Sequence, residues 1–171
     1  MSAALMHQGL RVADADSFSR LIEPLLDPAY RLAAVMLNDR GAAEDAVQEA
    51  SVKAWRKIGQ LRVDAASLRP WFLAIVANEC RMSRRTRWWS VLKLGEIASG
   101  RQEDESNTDL HRALLRMSPE ERLPLILHFY LDLPLEEVAR TLRISPSAAK
   151  SRIYRAARRL RTDLTVEDVI R

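Results

Sequence analysis

Residues 133–161 read LPLEEVARTLRISPSAAKSRIYRAARRLR. Apolar side chains recur at helical spacing before and after the short segment Arg143–Ser145, which predicts two short helices joined by a tight turn. The second helix carries basic side chains and no acidic ones: Lys150, Arg152, Arg155, Arg158, Arg159 and Arg161. A helix with free side chains near its N-terminus and positive charge along its length suits the major groove of DNA. The stretch therefore predicts a helix-turn-helix that binds DNA.

The predicted helix pair has one apolar side. Its members are Leu135, Val138, Ala139 and Leu142 in the first helix, Ile144 in the turn, and Ala149 and Ile153 in the second helix. The small side chain of Ala139 lets the two helices cross closely, as the motif requires. Arg143 occupies the turn position where glycine often adopts a left-handed conformation. A left-handed Arg143 would carry a strain of about 1 kcal/mol.

The opposite side of the second helix supplies the predicted DNA contacts. Candidates for contacts to base edges are Ala148, Lys150, Ser151, Tyr154 and Arg155, because these side chains can donate to guanine, bond several bases or touch a thymine methyl. Candidates for contacts to phosphates are Ser147, Arg152, Arg158, Arg159 and Arg161, and such contacts position a helix without selecting sequence. The alternative interpretation is a solvated, arginine-rich terminal helix.

Composition limits the other classes of function. The chain has 171 residues with a formal net charge of +4 and is 47% hydrophobic, which is enough for one domain or two small helical ones. Cys80 is the one cysteine, so an internal disulfide is excluded and a reducing cytoplasm fits. The sequence gives no apolar run of membrane-spanning length, no secretion signal and no metal-ligand spacing. We therefore expect a cytoplasmic protein without membrane insertion, cofactor, metal or small-molecule substrate.

Two basic blocks are separated by an acidic connector. The blocks are Arg81–Lys93 and Arg143–Arg161, and the acidic side chains between them are Glu96, Glu103, Asp104, Glu105 and Asp109. Periodicity fades over this connector, and the polar run SGRQEDESNT is typical of a linker. We predict an all-α fold of two small helical domains joined by a flexible linker. The predicted segments are a tail (1–15), a first domain (16–89), the linker (90–107), a second domain (108–164) and a tail (165–171).

Prolines and helix-capping residues indicate where the predicted helices begin and end. Pro24 and Pro28 predict a break in the first helical segment. The segment Gly41–Ile58 is predicted to be amphipathic. In the second half, Ser118-Pro119-Glu120-Glu121 predicts a capping box, and Pro134 and Pro146 are predicted to open two further helices, the latter with Ser145 as its cap.

Two further motifs carry a family resemblance. AEDAVQEASVKAWRKI (43–58) and LRPWFLAIVANECRMSRRTR (68–87), followed by the helix-turn-helix, resemble a bacterial extracytoplasmic-function (ECF) sigma factor of the sigma-70 family. The resemblance covers about residues 16–162. It implies a dissociable subunit that recruits core RNA polymerase to promoters, reads the −35 element with the helix-turn-helix, and melts and reads the −10 element with the first domain. Its implied partners are the β′ clamp helices and β subunit of the polymerase, promoter DNA and an anti-sigma factor.

The resemblance also implies roles for particular residues. A charged stripe would dock on the polymerase: Asp45, Gln48, Glu49, Lys53 and Arg56. A second set would contact the −10 region: Arg69, Trp71, Asn78, Arg81, Arg84, Arg85 and Arg87, with the loop 61–68 lining a pocket for a flipped base. Stacking on Trp71 would return part of the unstacking cost, although a buried core tryptophan is the stronger interpretation of that residue. Trp55 is also expected in the core, and the role of Trp88 and Trp89 stays open between packing against the end of the lobe, stacking and partner docking.

Two rival functions remain at the level of sequence. An autonomous helix-turn-helix repressor would bind a palindrome without polymerase, with half-sites about one helical turn apart. If the protein were instead a protein-interaction adaptor, the substitutions Lys150→Ala and Arg155→Ala would leave its activity unchanged. His128 is expected to be packed or hydrogen-bonded, and no nucleophile–base pair indicates an enzyme.

Overall fold

The computed structural model describes residues 15–58, 65–94 and 109–170, and side chains at 15–58, 67–85 and 109–164. Throughout these ranges the regular structure is helical. The elements are α1 (Ala15–Leu37), α2 (Arg40–Ile58), α3 (Ala65–Leu94), α4 (Asp109–Arg116), α5 (Pro119–Leu125), a π-helical segment (Ile126–Tyr130), α6 (Leu135–Leu142) and α7 (Pro146–Ile170). The predicted all-α fold is confirmed.

The N-terminal lobe consists of α1, α2 and α3, which pack against one another. The buried face of α2 is built from small side chains at helical spacing: Ala43, Ala46, Ala50, Ala54 and Ile58. Alanines allow close approach of the neighbouring helices, and the larger Phe72, Leu73 and Val76 of α3 fill the centre of the lobe. Asp39 caps α2, since its Oδ1 accepts a hydrogen bond from the backbone N–H of Ala42 at 2.8 Å.

The predicted break at Pro24 and Pro28 is wrong, because α1 runs as one helix through both prolines. Each proline removes one backbone hydrogen bond to the residue four positions earlier. Those residues are Arg20 and Pro24, both exposed, so water can satisfy the freed carbonyls. The buried face that begins at Ile22 and continues through Ala29 and Leu32 holds the helix together across the prolines.

The C-terminal lobe consists of α4 to α7, and its turns follow the predicted chemistry. Ser118 and Glu121 form the expected capping box at the start of α5, and Pro119 is its first residue. Pro146 opens α7, and Ser145 Oγ accepts from the N–H of Ala148 at 3.2 Å. His128 is hydrogen-bonded, as expected, with Nδ1 3.0 Å from the carbonyl oxygen of Leu133.

Two helices extend beyond their predicted ends. Helix α3 continues to Leu94, into the first part of the predicted linker, and α7 continues to Ile170, into the predicted tail. Neither extension contains proline or glycine, so nothing in the backbone chemistry stops the helix. The predicted tail 1–14 and the linker residues 95–107 lie outside the described residues.

The two lobes share one apolar core. A single cluster joins α1, α2 and α3 to α5, the π-helical segment, α6 and α7, and it includes Leu32 and Phe72 on one side and Leu127 and Val138 on the other. A smaller cluster around Met117, Leu125 and Ala156 lies within the C-terminal lobe. Among the described helices, none is long and apolar enough to cross a membrane.

Candidate nucleic-acid interface

Helices α6 and α7 form the predicted helix-turn-helix. Val138, Ala139 and Ala149 are buried between them, Ile153 is 8% exposed, and Leu135, Leu142 and Ile144 pack against the same cluster. The inner face assigned from the sequence is therefore confirmed. Because this face is fixed against the core, the opposite side of α7 is presented to solvent in one orientation.

The outer side of α7 carries the side chains predicted to read bases. Lys150, Ser151, Tyr154 and Arg155 are exposed, Tyr154 to 72% of its surface, and Ala148 is half-buried. Ser151 Oγ donates to the carbonyl oxygen of Ser147 at 3.0 Å, and Arg155 Nε donates to that of Ser151 at 3.4 Å. Both hydrogen bonds are exposed and join a side chain to the backbone of its own helix. Each side chain could exchange this backbone acceptor for a base edge.

The predicted phosphate contacts lie along the same helix. Ser147, Arg152, Arg158, Arg159 and Arg161 are all exposed. Arg159 differs from the others because its Nη1 donates to Oε1 of Glu121 at 2.7 Å. This ion pair ties the middle of α7 to the first turn of α5. The hydrogen bonds of Ser118, together with Arg159, lower the pKa of Glu121.

Arg143 is left-handed, with φ 55° and ψ 45°, so it is the strained form that the sequence analysis considered for this turn position. The N–H of Ile144 donates to the carbonyl oxygen of Ala139 at 3.0 Å, which closes the end of α6. Arg143 also lines a cleft of about 200 Å³ between the lobes, together with Ser67, Pro70, Trp71, Ala74 and Arg140.

Helix α3 carries the residues that the family resemblance assigns to the −10 region. Asn78, Arg84 and Arg85 are exposed and can be approached from solvent. Trp71 is half-buried and packs against the core, with one edge at the cleft between the lobes. The side chain of Arg87 and the loop residues 61–64 lie outside the described part of the chain, as do the side chains of Trp88 and Trp89.

Arg69 and Arg81 on α3 face carboxylates of the other lobe. Both Nε and Nη2 of Arg69 lie 2.7 Å from Oε2 of Glu137 on α6. Arg81 Nε lies 3.9 Å from Oε1 of Glu120 on α5. Two of the cations predicted to meet DNA are therefore paired within the chain.

The predicted docking residues lie on α2. Asp45, Gln48, Glu49 and Arg56 are exposed, whereas Lys53 Nζ donates to the buried carboxylate of Glu79 at 2.6 Å. Lys53 thus has a partner inside the lobe.

Trp55 was expected in the core, and that expectation is wrong. It is 42% exposed and makes an edge-to-face contact with Phe18, with ring centroids 5.1 Å apart. The inner face of α2 is made of alanines, which leaves no room for an indole there. Trp55 and the 38% exposed Val52 instead follow Gln48 at helical spacing on the outer stripe.

Arg122 is the main residue that sequence reasoning missed. It is 1% exposed, and its guanidinium donates to four carbonyl oxygens: Val35 and Met36 at the end of α1, and Leu115 and Met117 around the end of α4. Burial, with a smaller effect of Arg84, lowers its pKa to about 10. The signal was present in the sequence, because the apolar residues Leu125 and Ile126 follow Arg122 at helical spacing, three and four positions on.

Comparison with known proteins gives two family matches. Residues 21–90 match the model of sigma-70 region 2, and residues 107–160 match that of sigma-70 region 4. The chain is similar to the RNA polymerase sigma factor SigV of Bacillus subtilis, with 30% identity over 144 residues, covering 82% of this chain and 86% of the relative. It is also similar to the ECF RNA polymerase sigma factor SigL of Mycobacterium tuberculosis, with 28% identity, covering 91% of this chain and 93% of the relative.

Solved structures show the same fold. The sigma factor RpoE in complex with the anti-sigma factor NepR, from Bartonella quintana, superposes with a TM-score of 0.70 at 24% identity, covering 89% of this chain and 99% of that one. CnrH in complex with the cytosolic domain of CnrY superposes with a TM-score of 0.67 at 20% identity, covering 90% and 91%.

Proposed function

Because the chain belongs to the ECF group of the sigma-70 family, we propose that its two lobes divide the recognition of a promoter between them. The protein is an RNA polymerase sigma factor. Its C-terminal lobe inserts α7 into the major groove of the −35 element. The observation that carries this assignment is the outer face of α7, where Lys150, Tyr154 and Arg155 are exposed while Ala149 and Ile153 fix the helix from behind.

Base and phosphate contacts have separate roles on α7. Lys150, Ser151, Tyr154 and Arg155, with the methyl of Ala148, select the sequence through base edges. The phosphate contacts hold the helix in register: Ser147, Arg152, Arg158 and Arg159. Arg159 must exchange its internal partner Glu121 for a phosphate, which makes its contribution smaller than that of Arg152 or Arg158.

The N-terminal lobe reads the −10 element through α3. Asn78 can bond a base edge through its amide, and the cations Arg81, Arg84, Arg85 and Arg87 attract the phosphates next to the melted segment. Arg69 and Trp71 flank the site of a captured base. Since Arg69 is paired with Glu137, it becomes available when that pair opens.

The outer stripe of α2 docks on the β′ clamp helices of the polymerase. The charged and amide side chains of Asp45, Gln48, Glu49 and Arg56 supply a polar rim. Val52 and Trp55 supply an exposed apolar centre, and tryptophan and arginine are the side chains most often dominant in protein interfaces. Lys53 contributes by holding Glu79 and with it the packing of α2 on α3.

Other partners follow from the same function. RNA synthesis is catalysed by the polymerase. The chain recognises the promoter and opens the DNA strands, and it acts in the cytoplasm. We propose an anti-sigma factor as a regulator, because two structurally similar proteins were solved in complex with such partners or a partner's cytosolic domain. A repressor is disfavoured because both family matches and the named relatives are sigma factors.

Transcription in vitro with core polymerase on a fragmented genomic library tests the proposed function. We expect a defined set of promoters with a shared −35 and −10 sequence. The double variant Lys150→Ala/Arg155→Ala should lose transcription from these promoters, because each bidentate base contact contributes about 1–3 kcal/mol of discrimination. Lys57→Ala, which removes an exposed cation from α2, is the matched control and should transcribe normally. Specific binding to a palindrome by the chain alone would reject the proposal in favour of a repressor.

A further inference from the structure

A cleft of about 200 Å³ lies where α3 of the N-terminal lobe packs against α6 of the C-terminal lobe. Its α3 side is lined by Pro70, Trp71 and Ala74. Its other side is lined by Arg140 of α6 and by Arg143 in the turn that follows. The cleft therefore combines an apolar, partly aromatic side with two cationic side chains.

Trp71 gives the α3 side of the cleft an aromatic surface. Its side chain is half-buried, because it packs against the shared apolar core and still lines the cleft. The neighbouring Pro70 is buried and Ala74 is half-buried. Apolar and aromatic side chains predominate in sites for small molecules, and a tryptophan ring can stack on another ring. This side of the cleft thus favours a flat, apolar ring.

Arg140 and Arg143 supply positive charge to the other side of the cleft. Both are exposed, and within the described residues neither guanidinium makes a hydrogen bond or an ion pair. Glu137, three positions before Arg140, is held by Arg69, and the exposed Glu136 makes no ion pair with Arg140 in the described structure. Guanidinium groups bind carboxylates through two parallel hydrogen bonds. The charge of the cleft therefore favours an anion.

The backbone of Arg143 is an independent indication of function at this cleft. Its left-handed conformation has a steric cost for arginine and none for glycine. Such strained positions concentrate at functional sites. The turn does not need the guanidinium, because it is closed by backbone hydrogen bonds from the N–H groups of Arg143 and Ile144. A role of the guanidinium in the cleft accounts for a cation at this position.

The size and lining of the cleft limit the class of ligand. Sites for drug-sized molecules usually have volumes of about 300–1,000 Å³, so about 200 Å³ suits one or two fused rings with a small anionic group. The six described lining residues include no carboxylate, histidine or lysine that could act as a general acid or base. The cleft is therefore suited to binding a ligand and not to transforming it.

We propose that the cleft binds a small aromatic carboxylate, with its ring against Trp71 and its carboxylate between Arg140 and Arg143. A carboxylate attached to the ring keeps the ligand flat and matches the planar guanidinium group. The ligand contacts both lobes and acts as an effector rather than as a substrate. This site goes beyond the proposed promoter recognition and does not depend on it.

A nuclear magnetic resonance titration of the full chain with 2-naphthoate tests the proposal. This probe has two fused rings and one carboxylate, and we expect a dissociation constant of about 1 mM for a ligand of its size. Trp71→Phe identifies the indole N–H signal of Trp71 among those of the four tryptophans. That signal should shift saturably with 2-naphthoate.

Two further probes each keep one half of 2-naphthoate. The uncharged 2-naphthylmethanol lacks the carboxylate, and cyclohexanecarboxylate lacks the aromatic ring. Each should bind about fivefold more weakly than 2-naphthoate, because one loses the contact to the guanidinium groups and the other loses the contact to the Trp71 ring.

Three variants test the two sides of the cleft. Arg140→Gln/Arg143→Gln should weaken binding of 2-naphthoate about fivefold and leave that of 2-naphthylmethanol unchanged. The matched control is Arg20→Gln/Lys57→Gln, which removes two exposed cations of the N-terminal lobe and should bind like the parent. Ala74→Met extends a side chain into the cleft and should block the probe while both arginines remain.

The proposal is overturned by any of three results. The Trp71 signal does not respond to about 10 mM 2-naphthoate, ten times the expected dissociation constant. The double arginine variant binds 2-naphthoate as tightly as its matched control, or 2-naphthylmethanol binds the parent as tightly as 2-naphthoate does. Ala74→Met decides the location of the site if the arginine variant does not fold. Because the titration contains neither DNA nor polymerase, failure of this site is distinct from failure of the proposed function, which transcription in vitro tests.

Discussion

Lys53 Nζ lies 2.6 Å from Oε2 of Glu79, and this ion pair joins the outer part of α2 to the buried side of α3. The Glu79 side chain is 7% exposed, whereas that of Lys53 is 36% exposed. The family resemblance implied that Lys53 is a polymerase contact, and the structure shows that it also has a partner within the lobe. We therefore propose that Lys53 supports the proposed docking stripe by holding α2 against α3.

Removal of Lys53 should destabilise the N-terminal lobe. Lys53→Met leaves the carboxylate of Glu79 buried without its cation, which should lower the free energy of unfolding by about 2 kcal/mol, below the full effect for a completely buried pair. Urea denaturation followed by circular dichroism measures this change. Lys57→Met, which removes an exposed lysine of the same helix, should stay within about 0.5 kcal/mol of the parent. Equal effects of the two substitutions would contradict the assignment.

Trp55 is expected to dominate binding to core polymerase. Trp55→Ala removes the largest exposed apolar side chain of the α2 stripe, and we expect about a thirtyfold loss of affinity or more, because truncation of an interface hot spot costs about 2 kcal/mol or more. Titration of labelled protein with core polymerase measures the affinity. Leu26→Ala is the control, because Leu26 is 40% exposed on α1, close to the 42% of Trp55, and lies outside the stripe. Unchanged affinity in Trp55→Ala would remove Trp55 from the docking surface.

The capping box at α5 should give stability that depends on pH. Hydrogen bonds from Ser118 lower the pKa of Glu121 below its ordinary value of 4.5. A carboxylate with a lowered folded pKa stabilises the protein above its unfolded pKa, and that stabilisation disappears as pH falls through the folded pKa. Ser118→Ala should therefore cost about 1 kcal/mol at pH 7, as for other N-cap serines.

The same comparison near pH 3 should give a smaller difference between Ser118→Ala and the parent. Urea denaturation at both pH values measures it, with Ser19→Ala as the control, since Ser19 is an exposed serine inside α1. A loss that stays the same at both pH values would show that the Glu121 carboxylate is not part of the cap's contribution.

Local chemistry made part of the fold predictable. The capping box at Ser118, the Ser145 cap and the inner face of α6 and α7 depend on residues within a few positions of one another, so their spacing was sufficient. The position of the turn at Arg143 was identified for the same reason, and the structure adds that Arg143 is left-handed. The prediction that Trp55 is buried was wrong because helical periodicity does not give the space available for a side chain. The buried face of α2 is built mostly from alanines and packs too closely on its neighbours to hold an indole.

Contacts between the lobes could not be predicted from local patterns. Arg69 and Glu137 are 68 positions apart, and Arg122 and Val35 are 87 apart. Their meeting depends on how two complete lobes pack, and helical spacing carries no information about that. The continuity of α1 could not be predicted from local patterns either, because burial against α2 and α3 outweighed the local cost of Pro24 and Pro28.

Substitutions of base-contacting and phosphate-contacting residues of α7 should change DNA affinity in different ways. The two kinds of substitution should differ in their effects on salt dependence and on sequence discrimination. Arg158→Ala should weaken binding to promoter and unrelated duplexes alike and reduce the slope of log affinity against log salt by about 1. Arg155→Ala should instead cost about 1–3 kcal/mol on the promoter and reduce discrimination at one base pair. Holoenzyme binding to labelled duplexes at several salt concentrations measures both effects. The same pattern from both variants would contradict the division between sequence-selective and positioning side chains.

Arg143 provides a final test in which glycine should stabilise a helix-turn-helix. Its left-handed backbone, with φ 55° and ψ 45°, costs about 1 kcal/mol for a side chain with a Cβ atom, and glycine removes that cost. Arg143→Gly should therefore be more stable than Arg143→Ala by about 1 kcal/mol in thermal or urea denaturation. The alanine variant is the necessary reference, because both substitutions remove the same guanidinium from the cleft that it shares with Trp71.

Arg140→Gly provides a control of opposite sign in the same turn of helix. Arg140 lies within α6 and has a right-handed helical backbone, where glycine should cost about 1 kcal/mol relative to alanine. Glycine should thus stabilise at position 143 and destabilise at position 140. If glycine destabilised the protein relative to alanine at both positions, the backbone strain assigned to Arg143 would be absent.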